Sequence, residues 1–102
     1  MPEVHVLAKF VAREGKEDEL RALLQGMLVP TRAEPGCVTY DLYESNSKGH
    51  FYFWERWKNQ PALDQHIATP HFRHLQRESE KSLQEPFEVH FLTGISAGVS
   101  TL

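Results

Sequence analysis

Four segments of the chain alternate apolar side chains in the manner of β-strands. The first, residues 4–13, is apolar on both faces, and Leu7 and Val11 lie opposite Val4, Val6, Ala8, Phe10 and Ala12. Residues 37–44 and 50–57 predict two more strands, joined by a polar loop of hairpin length. Residues 87–92 repeat the alternation and predict a fourth strand.

The second predicted strand follows a turn made by Glu34, Pro35 and Gly36. Strict alternation along this strand places Val38 on the face of Tyr40, opposite Cys37. The single cysteine therefore reads as a small packed residue at the start of a strand.

Helical spacing appears first between the first two strands. The apolar positions there form one stripe, made of Leu20, Leu23, Leu24, Met27 and Leu28. Three acidic residues at 17–19 stand where a helix N-terminus favours negative charge. Pro30 is expected to end or kink this helix, because proline is not accommodated inside a regular helix.

Two helix starts follow the third strand. Asn59 is a candidate cap with Pro61 in the first turn, and this predicts a short helix carrying His66. Thr69 and Pro70 form a second start, from which a helix is predicted to run to about Leu83.

The element order β-α-β-β-α-β predicts a single α+β domain over residues 1–102 with a ferredoxin-like, four-stranded antiparallel sheet. In this topology two helices cover one face of the sheet. The other face is also apolar, because Leu7 and Val11 point there and the third strand is aromatic on both sides. A second copy packing sheet to sheet would cover it, which predicts a homodimer, although a large ligand could cover part of it.

Composition narrows the class of protein. The chain has 40% hydrophobic and 25% charged residues, as folded proteins do. A net charge of −3 argues against a nucleic-acid partner. No apolar run approaches the ~20 residues of a membrane span, and the N-terminus lacks the features of a signal peptide, so we expect a cytoplasmic protein without a membrane partner.

The candidate chemistry lies at the end of the third strand and in the two helix starts after it. His71 would occupy the second position of its helix, where the dipole favours a neutral, proton-accepting imidazole, and His66 could reach the same pocket. Both could equally be structural. Glu55 shares a face with Phe53 and Trp57, where desolvation would raise its pKa. It could serve as a general base, as the group that orients His66, or as a paired structural carboxylate.

Aromatic residues near these groups could stack on a planar ligand, or could simply form the core and the dimer interface. The candidates for substrate binding are Tyr40, Phe53, Trp57 and Phe72. His66, His71 and His74 do not form a metal-binding motif, so no metal is predicted. The nucleotide-binding glycine motifs and the serine-hydrolase elbow are also missing from the sequence.

Three segments together resemble the antibiotic biosynthesis monooxygenase family of dimeric α+β barrel proteins. They are Arg32-Ala33-Glu34-Pro35-Gly36-Cys37-Val38-Thr39-Tyr40, Glu55-Arg56-Trp57, and His66-Ile67-Ala68-Thr69-Pro70-His71-Phe72. The resemblance implies that Glu55, Trp57, His66 and His71 are the site positions. The heme-degrading branch of the family fits poorly, since its heme-ligating histidine would fall near Gln76.

The resemblance to the quinol oxidase branch implies a cofactor-independent monooxygenase that oxidises a quinol or polyphenol with dioxygen. A pocket base, His66 or His71, would deprotonate the substrate, whose anion then reduces dioxygen. Two alternatives remain open. One is an isomerase acting on a small phosphorylated carbonyl compound, with the anion at the helix start 69–71. The other is a dimer that binds a planar metabolite without converting it.

Overall fold

The computed structural model describes residues 2–95; Met1 and residues 96–102 of the predicted domain lie outside this range. The element order is β1 (Val4–Val11), α1 (Glu17–Gln25), α2 (Leu28–Arg32), β2 (Cys37–Glu44), β3 (His50–Trp57), α3 (Gln60–Ile67), α4 (Pro70–Ser79) and β4 (Glu88–Leu92). The strands form one antiparallel sheet in the order β2-β3-β1-β4. This confirms the α+β, ferredoxin-like class.

The helices cover one face of the sheet, and the core lies between this face and the helices. Its largest fully buried members are Trp57, Phe10, Phe51, Phe53, Leu20, Leu24 and Leu75. The opposite face of the sheet is only partly shielded, and Tyr43 and Leu92 on it are 57% and 43% exposed. Within residues 2–95, the structure contains no helix with the length and apolar character needed to cross a membrane.

The predicted effect of Pro30 on the first helix is wrong. Helix α1 already ends at Gln25, and Gly26 and Met27 form a turn before α2 begins. Pro30 lies in the first turn of α2. A proline is tolerated there because the amide groups of the first turn have no partner within the helix.

A β-bulge corrects the predicted alternation at the start of β2. Cys37 pairs with Trp57 and Thr39 pairs with Arg56, so Val38 is the extra residue. Cys37 packs against the core, while Val38 is 44% exposed. The inserted residue shifts the alternation by one, which strict period-two patterning does not anticipate.

The last helix is shorter than predicted, because α4 ends at Ser79 rather than near Leu83. The amides of Ser82 and Leu83 both donate to the Ser79 carbonyl, which turns the chain back towards the sheet. Leu83 is buried, as expected of an inward-facing residue, but in an isolated bridge to Ala12.

The turn at 34–36 packs directly against α3. A Cβ on Gly36 would overlap the Cβ of Ala62, so a side chain is excluded at this contact. The amide of Lys58 donates to the Gly36 carbonyl at 3.0 Å and ties the turn to the end of β3. Since only glycine permits this approach, the turn lies close enough for Glu34 to reach the helices.

Candidate active site

Two histidines and one carboxylate meet at the junction of α3 and α4. His66 Nδ1 and His71 Nε2 both lie 2.7 Å from the same oxygen, Glu34 Oε2. An ionised carboxylate can only accept, so both ring nitrogens donate to it. This assigns the Nδ1–H tautomer to His66 and leaves its Nε2 free to accept a proton.

Helix capping sets the positions of the two histidines. His66 lies in the last turn of α3, and His71 is the second residue of α4. Thr69, the N-cap of α4, accepts from the Phe72 amide at 3.2 Å and donates its hydroxyl to the His66 carbonyl at 2.7 Å. The predicted helix starts at Asn59 and Thr69 are thereby confirmed, since the Asn59 side chain likewise accepts from the Ala62 amide.

The cluster is buried, but not equally at its three members. The side chains of His66, Glu34 and His71 are 2%, 12% and 24% exposed. Burial lowers the pKa of His66 below its usual value, and the hydrogen bond that His66 donates to Glu34 offsets this only in part. His66 is therefore neutral at neutral pH, as a proton acceptor must be.

Aromatic rings hold His66 from three sides. The centroid of its ring lies 4.6 Å from that of Trp57, 5.2 Å from Phe72 and 5.7 Å from Tyr40. This packing and the Glu34 hydrogen bond leave the imidazole little freedom to rotate. Its orientation is therefore set before any ligand binds.

An apolar cavity opens beside His66, between the sheet and helices α3 and α4. A water-sized sphere finds room for its centre in about 60 Å³ of this cavity, and the empty space reaches about 450 Å³ only when the solvent at its open mouth is counted. Its walls are Val6, Ala8, Phe10, Tyr40, Phe53, Glu55, Leu63, His66, Ile67, Phe72, Leu75, Phe87, Val89 and Phe91. No lysine or arginine of the described chain lines it. Because His66 Nδ1 is hydrogen-bonded to Glu34, Nε2 is the ring nitrogen of His66 that remains for a ligand in the cavity.

Glu55 is the second polar group of the cavity wall. Its side chain is buried, and its Oε1 accepts a hydrogen bond from Trp57 Nε1 at 2.9 Å. Burial raises the pKa of Glu55 to about 7, and the negative charge of Glu34 adds to the rise. This agrees with the desolvation expected from the sequence.

Of the predicted site residues, five line the cavity: His66, Glu55, Tyr40, Phe53 and Phe72. Trp57 and His71 do not. Trp57 is fully buried and packs against both Tyr40 and His66, and its indole nitrogen donates a hydrogen bond to Glu55. His71 touches the site through Glu34.

Glu34 is the site residue that sequence reasoning missed. Orienting His66 was suggested for Glu55, but Glu34 makes that contact. Glu34 stands 32 residues before His66 and looks like an ordinary turn residue. The one available signal was its place inside a segment that carries the family resemblance.

The cluster is also where the described chain could hold a metal ion. Glu34, His66 and His71 each offer one donor atom, and these atoms lie within 4.8 Å of one another. His74, the third histidine weighed from the sequence, is exposed and stands outside this group. Cys37 offers no reactive thiolate, because burial raises the pKa of its thiol to about 11.

Comparisons with known proteins agree with this fold. The sequence profile described as "Antibiotic biosynthesis monooxygenase" matches residues 3–78. The Mycobacterium tuberculosis protein named "Putative monooxygenase Rv0793" is 42% identical over 89 residues, which cover 87% of this chain and 88% of that protein. The Bacillus subtilis protein named "Putative monooxygenase YcnE" is 31% identical over 75 residues, 72% of this chain and 79% of that one.

Two solved structures share the fold. The structure of Rv0793 superposes with a TM-score of 0.87 at 39% identity, covering 92% of this chain and 96% of that one. The crystal structure of PA3566 from Pseudomonas aeruginosa also gives a TM-score of 0.87, at 30% identity, covering 94% and 97% of the two chains.

Proposed function

The chain belongs to the antibiotic biosynthesis monooxygenase family, and we propose that it oxidises an electron-rich phenol or quinol with dioxygen in the cavity beside His66. Family membership supports a monooxygenase-type function. The single observation that carries the finer proposal is the buried His66, which lines an apolar cavity and whose Nδ1 is hydrogen-bonded to Glu34, so that Nε2 remains to act as the base.

The cavity wall supports an uncharged aromatic substrate. Tyr40, Phe53 and Phe72 offer ring faces and edges for stacking. A phosphorylated substrate would need a cationic partner, and no lysine or arginine of the described chain lines the wall. The start of α4, expected to bind the anion of an isomerase substrate, instead brings His71 to the Glu34 carboxylate. These observations favour the oxidation over the isomerisation.

In the first step, His66 Nε2 takes the proton of the phenol hydroxyl. The imidazolium that forms keeps its Nδ1–H on Glu34, whose negative charge stabilises it. His71 holds the same carboxylate oxygen from the other side. The phenolate, in contact with apolar walls, loses its hydration and becomes a stronger reductant.

In the second step, the phenolate gives one electron to dioxygen, and the two radicals combine into a ring peroxide anion, which takes the proton from the His66 imidazolium and becomes a hydroperoxide. The O–O bond then breaks. The ring hydrogen leaves as a proton, and the distal oxygen leaves as water. One phenol and one dioxygen thus yield one quinone and one water.

Glu55, which lines the same cavity, supports this last step. With a pKa of about 7, a large share of the carboxyl is protonated at neutral pH. The carboxyl can therefore donate a proton to the departing hydroxide, and the ring hydrogen that leaves as a proton restores it. Two groups that share a cavity but differ in environment suit the separate roles of base and acid.

The test is oxygen uptake by chelator-treated protein with a panel of phenols and hydroquinones, under ¹⁸O₂. We expect one labelled oxygen in the quinone, and His66→Gln should lower kcat by at least about 100-fold, the usual contribution of a positioned base. His74→Gln is the matched control, because His74 is exposed on α4 outside the cluster. No uptake with any substrate, or equal rates in wild type and His66→Gln, would contradict the proposal.

The same assay separates the alternatives. Conversion of a phosphorylated carbonyl compound under anaerobic conditions would favour the isomerase. Saturable binding of an aromatic that is recovered unchanged in the presence of oxygen would favour a binding protein.

We also propose that a second copy of the chain covers the uncovered sheet face. Leu7, Val11 and Trp54 point to this face, on the side of β1 and β3 away from the helices, and Tyr43 and Leu92 extend the apolar surface to the edge strands. Burial of such a surface by an identical copy gives a two-fold dimer.

A further inference from the structure

We propose that Glu34, His66 and His71 form a binding site for a divalent transition-metal cation of the Zn²⁺ type. Their donor atoms come from a turn and from two different helices, yet they converge on one point. Two imidazoles and one carboxylate are a ligand set that holds Zn²⁺ in proteins and leaves a further position for water.

The two separations between histidine and carboxylate require only a small adjustment, whereas the third, between the two ring nitrogens, is at most 4.8 Å and would have to approach the same tetrahedral spacing. Each histidine nitrogen lies 2.7 Å from Glu34 Oε2. With metal–ligand bonds of about 2.0–2.1 Å, tetrahedral ligands stand about 3.3 Å apart. Each contact would therefore lengthen by roughly 0.6 Å. The Glu34 carboxylate, which the two histidine hydrogen bonds hold in the metal-free form, can move this far by rotation about its own side-chain bonds.

The charge of the site favours a cation. Glu34 is 12% exposed, and among residues 2–95 its ion-pair partners are the two histidines alone. A bound metal ion would place a positive charge directly against the Glu34 carboxylate. His71, at 24% exposure, is the most accessible ligand and gives the ion a route from solvent.

Metal binding would change what His66 offers to the cavity. Coordination through Nδ1 moves the imidazole proton from Nδ1 to Nε2, so the free nitrogen becomes a donor and is no longer a base. The metal-bound form would then be inactive in the proposed oxidation. This consequence rests on the proposed function, whereas the binding site itself does not.

The test is a Zn²⁺ titration of the chelator-treated full chain, in competition with a chromogenic chelator. We expect one Zn²⁺ per chain. Glu34→Gln keeps a hydrogen-bond acceptor but loses the charge, and it should weaken binding by at least about tenfold, as even losses of outer-shell partners do. His71→Ala should weaken it similarly, and because His71 is partly exposed, this variant is the less disruptive of the two. His74→Ala is the matched control and should bind as the wild type does.

Co²⁺ provides an independent readout of the ligands. A cobalt ion bound in a tetrahedral site gives a visible absorption band, which Glu34→Gln and His71→Ala should abolish and His74→Ala should retain. Failure of the wild type to bind Zn²⁺ would overturn the proposal. Binding that is unchanged in both Glu34→Gln and His71→Ala would also overturn it.

The oxygen-uptake assay with added Zn²⁺ separates the two proposals. If Zn²⁺ binds with the stated ligand dependence but no phenol is oxidised, the metal site stands and the oxidation fails. If oxidation occurs and depends on His66 but no Zn²⁺ binds, the metal site fails.

Discussion

The stability of Glu55→Gln relative to the wild type should increase as the pH rises. The carboxyl of Glu55 is buried against aromatic rings, and its pKa rises from 4.5 to about 7. A group whose pKa is raised by folding contributes its full stabilisation only when the pH is below its pKa in the unfolded state. This stabilisation is lost as the pH rises through its pKa in the folded state. Ionising Glu55 therefore destabilises the wild type between pH 4.5 and 7.

The size of the effect follows from the shift of about 2.5 units (7 − 4.5). At 1.36 kcal/mol per unit, this predicts a loss of roughly 3 kcal/mol by one unit above the folded pKa. About 2 kcal/mol of this should already be lost at pH 6. Glutamine cannot ionise, and its carbonyl can still accept the Trp57 Nε1–H bond, so the variant should avoid the loss.

The measurement is the free energy of unfolding in urea, at several pH values across this range. The difference between Glu55→Gln and wild type should grow with pH by about 3 kcal/mol. Glu85→Gln, which removes an exposed carboxylate, is the control and should not change the slope. A difference that stays constant within about 0.5 kcal/mol, the scatter of surface substitutions, would refute the reasoning.

Two further variants test the turn and the sheet face. Gly36→Ala should destabilise the protein by about 1–3 kcal/mol, because the new Cβ overlaps Ala62. Gly26→Ala is the control and should not destabilise it, because its Cβ meets only ordinary contacts. Equal midpoints of urea unfolding for the two variants would contradict this prediction. Trp54→Lys should convert the proposed dimer into monomers, as measured by sedimentation velocity. Val29→Lys is the control and should not, because Val29 is 82% exposed on α2. A monomeric wild type would rule out the proposed interface.

Local patterns predicted most of the secondary structure. Strands β2 and β3 have the expected bounds, and Asn59 and Thr69 cap their helices as expected. Alternation and capping involve only residues near in sequence, so they can be recognised without the fold. The bulge at Val38 was missed, because a bulge depends on the partner strand.

The candidate site, like the secondary structure, was predicted from the sequence only in part. His66 and His71 were chosen as candidates because both stand at helix ends a few residues apart, and Glu55 because it alternates with aromatic residues. Which of these groups face the cavity was beyond the sequence. Trp57 looked like a wall residue, yet it is buried behind Tyr40 and His66.

The amino-acid sequence alone determined the order of strands and helices and the placement of two imidazoles at neighbouring helix ends, since these follow from short-range periodicity and capping. Only the tertiary structure decided that one oxygen of Glu34 serves both histidines. That contact depends on the close approach of the Gly36 turn to α3. A meeting of residues 32 positions apart is set by packing, which no local pattern encodes.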